Sequence, residues 1–280
     1  MKSSLLKRVI TASVLIAVVV GFFFLRPVYL PLFNILTGLL IVVGGYELSS
    51  KLFLKRVNDN GETEYFATDA DKTAMIVTTL SSLLVVPAYA IFGIITAVCV
   101  IVSEIVVDIL ITLIYKKDTK FYLKALLSAV YPKFLLLSLS VANALPQNSL
   151  LTLIMIFAIP SATDTFAYFV GSLVKGVKLC PKISPNKTVS GAVGGVIGGM
   201  LASIVLFFIF KPDNAWWIFL IIGLVSSVLS QLGDIFESLL KRKIGIKDMG
   251  NIFPGHGGVL DRVDGIMVAG TFIAIIMSLI

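Results

Sequence analysis

The chain has 280 residues, 58% of them hydrophobic and 14% charged, with a mean hydropathy of +1.01. A water-soluble domain carries about 25% charge, so this much apolar surface does not fit one soluble core and belongs in a bilayer. The formal net charge of +7 is spread between apolar segments rather than along one polar face, which argues against nucleic acid as a partner and for charges that set membrane topology.

A spanning helix needs about 20 apolar residues. Nine segments qualify, near 9–25, 28–46, 74–90, 91–114, 124–143, 150–172, 191–210, 215–238 and 264–280. The predicted fold class is therefore an all-α, polytopic integral membrane protein with about nine transmembrane helices. The first segment is short enough for a signal-peptide core. Phe22-Phe23-Phe24-Leu25-Arg26 offers no small-residue cleavage site, however, so it reads as an anchor. The joint between the third and fourth spans is expected around Pro87.

With the N-terminus in the cytoplasm, alternate loops put all 23 basic residues on that side except Arg26, Lys133 and Lys211. The opposite orientation would place nearly all the positive charge on the wrong side. The expectation is a plasma (inner) membrane protein with its N-terminus and polar loops cytoplasmic. Residues 1–150 read as N-terminal transmembrane helices and 151–280 as a C-terminal catalytic region.

Between the second and third spans, "VNDNGETEYFATDADKT" has too few apolar residues for its own core and reads as a surface loop or short hairpin. Cys99 and Cys180 have no metal spacing and are expected as free thiols. Glu104 and Asp108 fall in or near the fourth span without a surrounding motif, so both structural and interfacial roles stay open.

Ionisable residues inside spans are costly and usually functional, and the C-terminal half gathers them in three places. In "PSATDTFAYFVGSLVKG", Asp164 and Tyr168 are four apart and share a helix face. Next, "KLCPKISPNKTVSGAVGGVIGG" crowds Lys182, Ser184, Asn186, Lys187, Thr188 and Ser190 before a helix. Hydroxyl caps and free helix-start N–H groups there favour anions, and the lysines make it a candidate phosphate site. Gly191, Gly195 and Gly199, with Gly194 and Gly198, are spaced for close helix packing or for a lipid chain. Such packing is compatible with a homodimer.

The third place joins "SQLGDIFESLLKR" to the loop that follows it. Asp234, Glu237 and Ser238 lie on one helix face, and Asp261 and Asp264 are spaced i, i+3 at the start of the last span. If the intervening loop turns back, Asp234 and Asp261 meet at one membrane depth. Hard oxygen ligands of this kind suit Mg²⁺ bound together with a substrate phosphate. Gly257 and Gly258 beside the single histidine, His256, let backbone N–H groups approach a ligand. The chemistry implied is phosphoryl or nucleotidyl transfer at a membrane surface.

The run "SLLKRKIGIKDMGNIFPGHGGVLDRVDG", Ser238 to Gly265, closely resembles the C-terminal motif of the phosphatidate cytidylyltransferases, or CDP-diacylglycerol synthases. "DTFAYFVG", "ISPNKTVSG" and "QLGD" extend the resemblance over roughly 160–280, while the first half matches only as a series of spans. Ser190 departs from the pattern, since many members carry an acid there. The resemblance implies that CTP and phosphatidic acid are joined into CDP-diacylglycerol with release of pyrophosphate. It implies a Mg²⁺ centre on Asp234 and Asp261 supported by Asp264, with room for a second cation such as K⁺. Lys241, Arg242, Lys247, Lys187, Ser184 and Thr188 would hold phosphates, Asp164 and Tyr168 would line a polar cavity, and Asp248, Gly257, Gly258 and Arg262 would complete substrate binding. His256 is either a base or a positioning residue. The rival readings are a CTP-dependent lipid kinase, which would transfer the γ-phosphoryl group to an alcohol, and a secondary transporter using the aspartates as an ion relay.

Overall fold

The computed structural model describes residues 2–26, 29, 31–57, 63–65, 67–253 and 257–280. The helices are α1 (Lys2–Leu25), α2 (Leu32–Phe53), α3 (Asp69–Phe92), α4 (Ile94–Ile114), α5 (Thr119–Asn143), α6 (Ser149–Val174), α7 (Val189–Phe210), α8 (Trp216–Ile244) and α9 (Leu260–Leu279). Among the described residues, eight of them, α2 to α9, are long and apolar enough to cross a membrane. The chain is a multi-pass membrane protein. Large apolar side chains such as Ile95, Leu113, Leu173 and Phe208 stay exposed, as expected where lipid rather than water is the neighbour.

Each of the nine expected spans corresponds to a helix; several, such as α3, α5 and α8, continue past at least one end of the apolar stretch, whereas α2 and α4 begin later than expected, at Leu32 and Ile94. Hydropathy reports only the length in contact with lipid, whereas hydrogen bonding continues the helix into the polar flank. For α3 the extension is a capping box. Thr68 Oγ1 accepts from the Asp71 N–H at 3.3 Å, and the Thr68 N–H donates to Asp71 Oδ2 at 2.8 Å. Pro87 stays inside α3, and the break falls at Gly93, whose φ of +88° suits glycine. Thr96 Oγ1 lies within hydrogen-bond distance of the carbonyls of Ala88 and Gly93, at 2.9 and 2.7 Å, tying the start of α4 to the end of α3 across the break.

Two short antiparallel hairpins interrupt the helices. The first, β1 (Lys55–Val57) with β2 (Thr63–Tyr65), lies in the polar connection after α2. The second, β3 (Lys178–Cys180) with β4 (Ser184–Thr188), pairs Lys178 with Thr188. That basic segment reads as a plain loop in the sequence, because its strands are too short and too polar for a period-2 signal. Both cysteines are free.

The chain forms two compact units, Met1–Ser140 with Lys243–Arg262, and Val141–Arg242 with Val263–Ile280. In the first unit, α2 runs close to α3 at Gly45, where a Cβ would sit 2.8 Å from Ser82 Oγ. The same unit buries a charge group between α3, α4 and α5. Lys133 Nζ donates to Glu104 Oε1 and to the Ser128 carbonyl, both at 3.0 Å, and Ser81 Oγ donates to Glu104 Oε2. The Lys133 and Glu104 side chains are both fully buried. Glu104 thus has a structural partner, which the sequence leaves open.

Removing one member of a buried pair strands the other charge, at a cost of about 3–5 kcal/mol. Lys133→Ala is expected to lower stability by about that much, whereas Lys133→Met combined with Glu104→Leu recovers most of it. Thermal unfolding in detergent of the two variants measures the difference.

Candidate active site

The second unit builds a cavity from α6, the β3–β4 hairpin, α7 and α8. Its volume is about 770 Å³, within the range of small-molecule sites. Asp164 and Tyr168 line it from α6, Lys178 from β3, Lys187 and Thr188 from β4, and Gln231 and Asp234 from α8. Lys175, just past the end of α6, adds a further cation. The i, i+4 relation of Asp164 and Tyr168 therefore does put both on the cavity side.

Small residues set the cavity wall. Gly191 of α7 packs against α6, where a Cβ on it would stand 2.7 Å from the Ala167 carbonyl and 3.3 Å from the Gly171 Cα. Gly195 meets the Thr163 carbonyl in the same way at 2.9 Å. Gly194 and Gly198 accommodate the side chains of Val170 and Phe166, and Gly199 those of Ser227 and Thr163. These glycines are therefore taken up within the chain as close helix contacts. Thr188 caps α7, its Oγ1 accepting from the Gly191 N–H at 3.1 Å. Ser190 Oγ donates to the Lys175 carbonyl, and the Val189 N–H to the Val177 carbonyl at 2.9 Å, tying the hairpin to the end of α6.

Two of the cavity's charges form an ion pair. Lys187 Nζ forms an ion pair with Asp234 Oδ2, and Ser238 Oγ donates to Asp234 Oδ1 at 3.3 Å. Both ion-pair side chains are partly exposed, at 24% and 29%, so the pair remains accessible. Gln231 Nε2 donates to the Ala192 carbonyl at 3.2 Å, joining α8 to α7. Two turns past Asp234, Lys241 Nζ donates to the fully buried Glu237 at 3.1 Å. Arg242 Nε donates to the Ile183 carbonyl at 3.3 Å, which anchors the hairpin tip to the end of α8.

Gly233 explains how a second carboxylate reaches Asp234. A Cβ there would sit 2.7 Å from the Asp264 carbonyl, and one at Gly265 would sit 2.6 Å from Ser230 Oγ. This close crossing of α8 and α9 brings Asp264 within electrostatic reach of Asp234, Asp164 and Lys241. Asp264 Oδ1 also accepts from the Gly265 N–H at 2.8 Å.

Lys247, Asp248, Gly257, Gly258, Asp261 and Arg262 lie in the first unit. Asp261 is 7% exposed, and its Oδ2 accepts from the Met249 and Gly258 N–H groups, both at 2.8 Å. Gly258 thus donates its N–H within the loop. Gly257 adopts φ +81°, and a Cβ there would stand 2.7 Å from Asp261 Oδ2. Lys247, Asp248 and Arg262 are exposed. Ser184, in β4 of the second unit, is half-buried opposite Cys180. His256 lies outside the described residues.

Sequence reasoning missed Lys175, Lys178 and Gln231 as cavity residues. The two lysines carried only a topological signal, and Gln231 was visible only as part of "QLGD". It also missed Glu47, a buried carboxylate on α2. Its Oε1 and Oε2 accept from the Val259 and Leu260 N–H groups, both at 3.0 Å.

Among the described residues, no group of three or more His, Cys, Asp or Glu side chains gathers into a ready-made metal cage. Mg²⁺ does not require one, since it keeps waters and substrate phosphates in its shell and takes only one or two carboxylates. The accessible Asp234 with neighbouring Asp264 fits that pattern.

A family model described as the cytidylyltransferase family matches residues 6–280. Similar proteins include one from Brucella abortus named phosphatidate cytidylyltransferase, 38% identical over 143 residues, covering 51% of this chain and 53% of that protein. A protein of the same name from Staphylococcus saprophyticus is 44% identical over 111 residues, covering 40% and 43%. Another, from Rickettsia conorii, is 38% identical over 149 residues, covering 51% and 64%. The chain spans about half the length of the curated relatives it matches. It belongs to the cytidylyltransferase family.

Gly191→Ala is expected to push α7 off α6, because the contact is with backbone and cannot yield. Overpacking of this kind costs about 1–3 kcal/mol, measurable as a fall in melting temperature in detergent.

Proposed function

We propose that this member of the cytidylyltransferase family transfers CMP from CTP to phosphatidic acid, forming CDP-diacylglycerol and pyrophosphate. The observation that carries the reading is the cavity of the second unit, where Lys175, Lys178 and Lys187 face Asp164 and Asp234 in a space of about 770 Å³. Lysines beside carboxylates suit a polyphosphate held with a divalent metal. The names of the relatives from Brucella abortus and Rickettsia conorii support the same substrate pair.

A phosphatidate oxygen attacks the α-phosphorus of CTP and forms a new P–O bond. The bond from that phosphorus to the bridging oxygen breaks, and pyrophosphate leaves with the electron pair. A phosphate monoester is already a nucleophile, so the chain mainly has to position two polyanions and neutralise their charge. Lys187 is placed to move from Asp234 to a phosphate, and Lys175 and Lys178 add charge along the same wall. Tyr168 and Asp164 offer polar contacts on the α6 side. Mg²⁺, held by Asp234 and Asp264, would supply further charge neutralisation on the phosphates when bound. Asp261 joins this metal set on the sequence resemblance alone, as does a second cation such as K⁺. Lys241, Arg242 and Lys247 are assigned to phosphate binding on the same basis, and Ser184, Asp248, Gly257, Gly258 and Arg262 to substrate binding. The distribution of basic residues supports a cytoplasmic site, and the plasma membrane is the proposed location.

The test supplies phosphatidic acid, Mg²⁺ and CTP labelled at the α- and γ-phosphates to purified protein. The expected outcome is α label in the lipid and γ label in pyrophosphate. Asp234→Asn and Asp261→Asn are each expected to slow the transfer about 100-fold or more while remaining folded. Entry of the γ label into a lipid alcohol would establish the kinase reading instead. Absence of transfer by folded wild type would overturn the proposal.

A further inference from the structure

The glycine-rich loop before α9 is held by a residue from the opposite end of the chain. Glu47, on α2, is 4% exposed and lies 212 positions before Val259. Its two oxygens take the N–H groups of Val259 and Leu260, one each, at 3.0 Å. Asp261 Oδ2 takes those of Gly258 and Met249 at 2.8 Å. Leu260 opens α9, where a helix start leaves N–H groups without helical partners, and the two carboxylates take its N–H together with those of Gly258 and Val259 before it and of Met249 further back in the loop.

The surroundings are shaped for Glu47. A Cβ at either Gly250 or Gly258 would overlap its Oε1. Gly44, one turn earlier on α2, lies under Leu260, where a Cβ would stand 3.0 Å from Leu260 Cδ2. Lys51, one turn later, adds a compensating positive charge. A charged acceptor bonded to backbone N–H groups in a dry site makes a strong, directional contact.

We propose that Glu47 is a positioning residue for the proposed transfer: by fixing the backbone of Gly258, Val259 and Leu260, it sets the orientation in which Asp261 is presented. Asp261 has its own Oδ2 turned back onto the loop, so its direction follows the loop backbone. The proposal rests on the transfer reading, in which Asp261 serves the metal. Glutamine is nearly isosteric with Glu47 but has only one acceptor oxygen. Its amide N–H₂ would face a second N–H donor, so Glu47→Gln cannot hold both amides.

The experiment uses the full-length protein in detergent and compares wild type, Glu47→Gln and Glu104→Gln. The last weakens a buried contact in α4 outside the loop and serves as the structural control. Hydrogen–deuterium exchange of peptides covering 246–261 is read with CTP-to-lipid transfer, its Mg²⁺ dependence and thermal unfolding. For Glu47→Gln, exchange in this loop is expected to rise. The kcat per folded molecule is expected to fall about 10–100-fold, with a raised half-saturating Mg²⁺ concentration and a nearly unchanged KM for CTP. Glu104→Gln should lower the melting temperature without changing the Mg²⁺ dependence. The proposal is overturned if Glu47→Gln leaves loop exchange unchanged, or if its activity loss only tracks the loss of folded protein as in the control. If wild type itself transfers no label, the transfer reading fails, and the exchange data alone then decide whether Glu47 holds the loop.

Discussion

A carboxylate in a bilayer-spanning protein has to be neutralised or hydrogen-bonded, because the surrounding medium cannot solvate it. Four acids of this chain answer that constraint in three ways. Glu104 takes Lys133 and Ser81. Glu47 and Asp261 take backbone N–H groups, and Asp234 takes Lys187. The first solution is fully buried and ties helices together. The last is partly exposed in a cavity, where a phosphate can compete for the lysine and a cation for the aspartate. The same requirement therefore yields a structural pair in one place and an exchangeable pair in another, with access as the difference.

Close helix approach is the second organising feature. In lipid, helices gain little by burying apolar surface from water and associate through packing and polar contacts. The glycines of α7 let it lie against α6, and Gly233 and Gly265 let α8 and α9 cross tightly. These contacts supply more than cohesion. The first forms a wall of the polar cavity, and the second brings Asp264 toward Asp234. A larger residue at any of them would move functional groups as well as helices.

Much of the fold was legible in the sequence, because hydropathy over about 20 residues is a local property and lipid imposes a fixed length. All nine expected spans are helices. Their ends were less legible, since the capping box at Thr68 and Asp71 and the break at Gly93 depend on individual hydrogen bonds and on one positive φ. The β3–β4 hairpin was missed because its strands alternate too little. In the cavity, Asp164, Tyr168, Lys187, Thr188 and Asp234 were recognisable from spacing and residue type, while Lys175, Lys178 and Gln231 emerged only once α6, the hairpin and α8 were in place.

The sequence by itself determined that this is a multi-span membrane protein of the cytidylyltransferase kind, since composition, span length and the run from Ser238 to Gly265 are all contiguous features. Tertiary structure decided the partners. Glu104 and Lys133 were both visible as charges in apolar segments, but nothing local joins residues 29 positions apart. Glu47 carried no signal at all, because its role depends on amides more than two hundred positions away. Periodicity reports which face of a helix a residue occupies. What it meets there is set by how the helices pack.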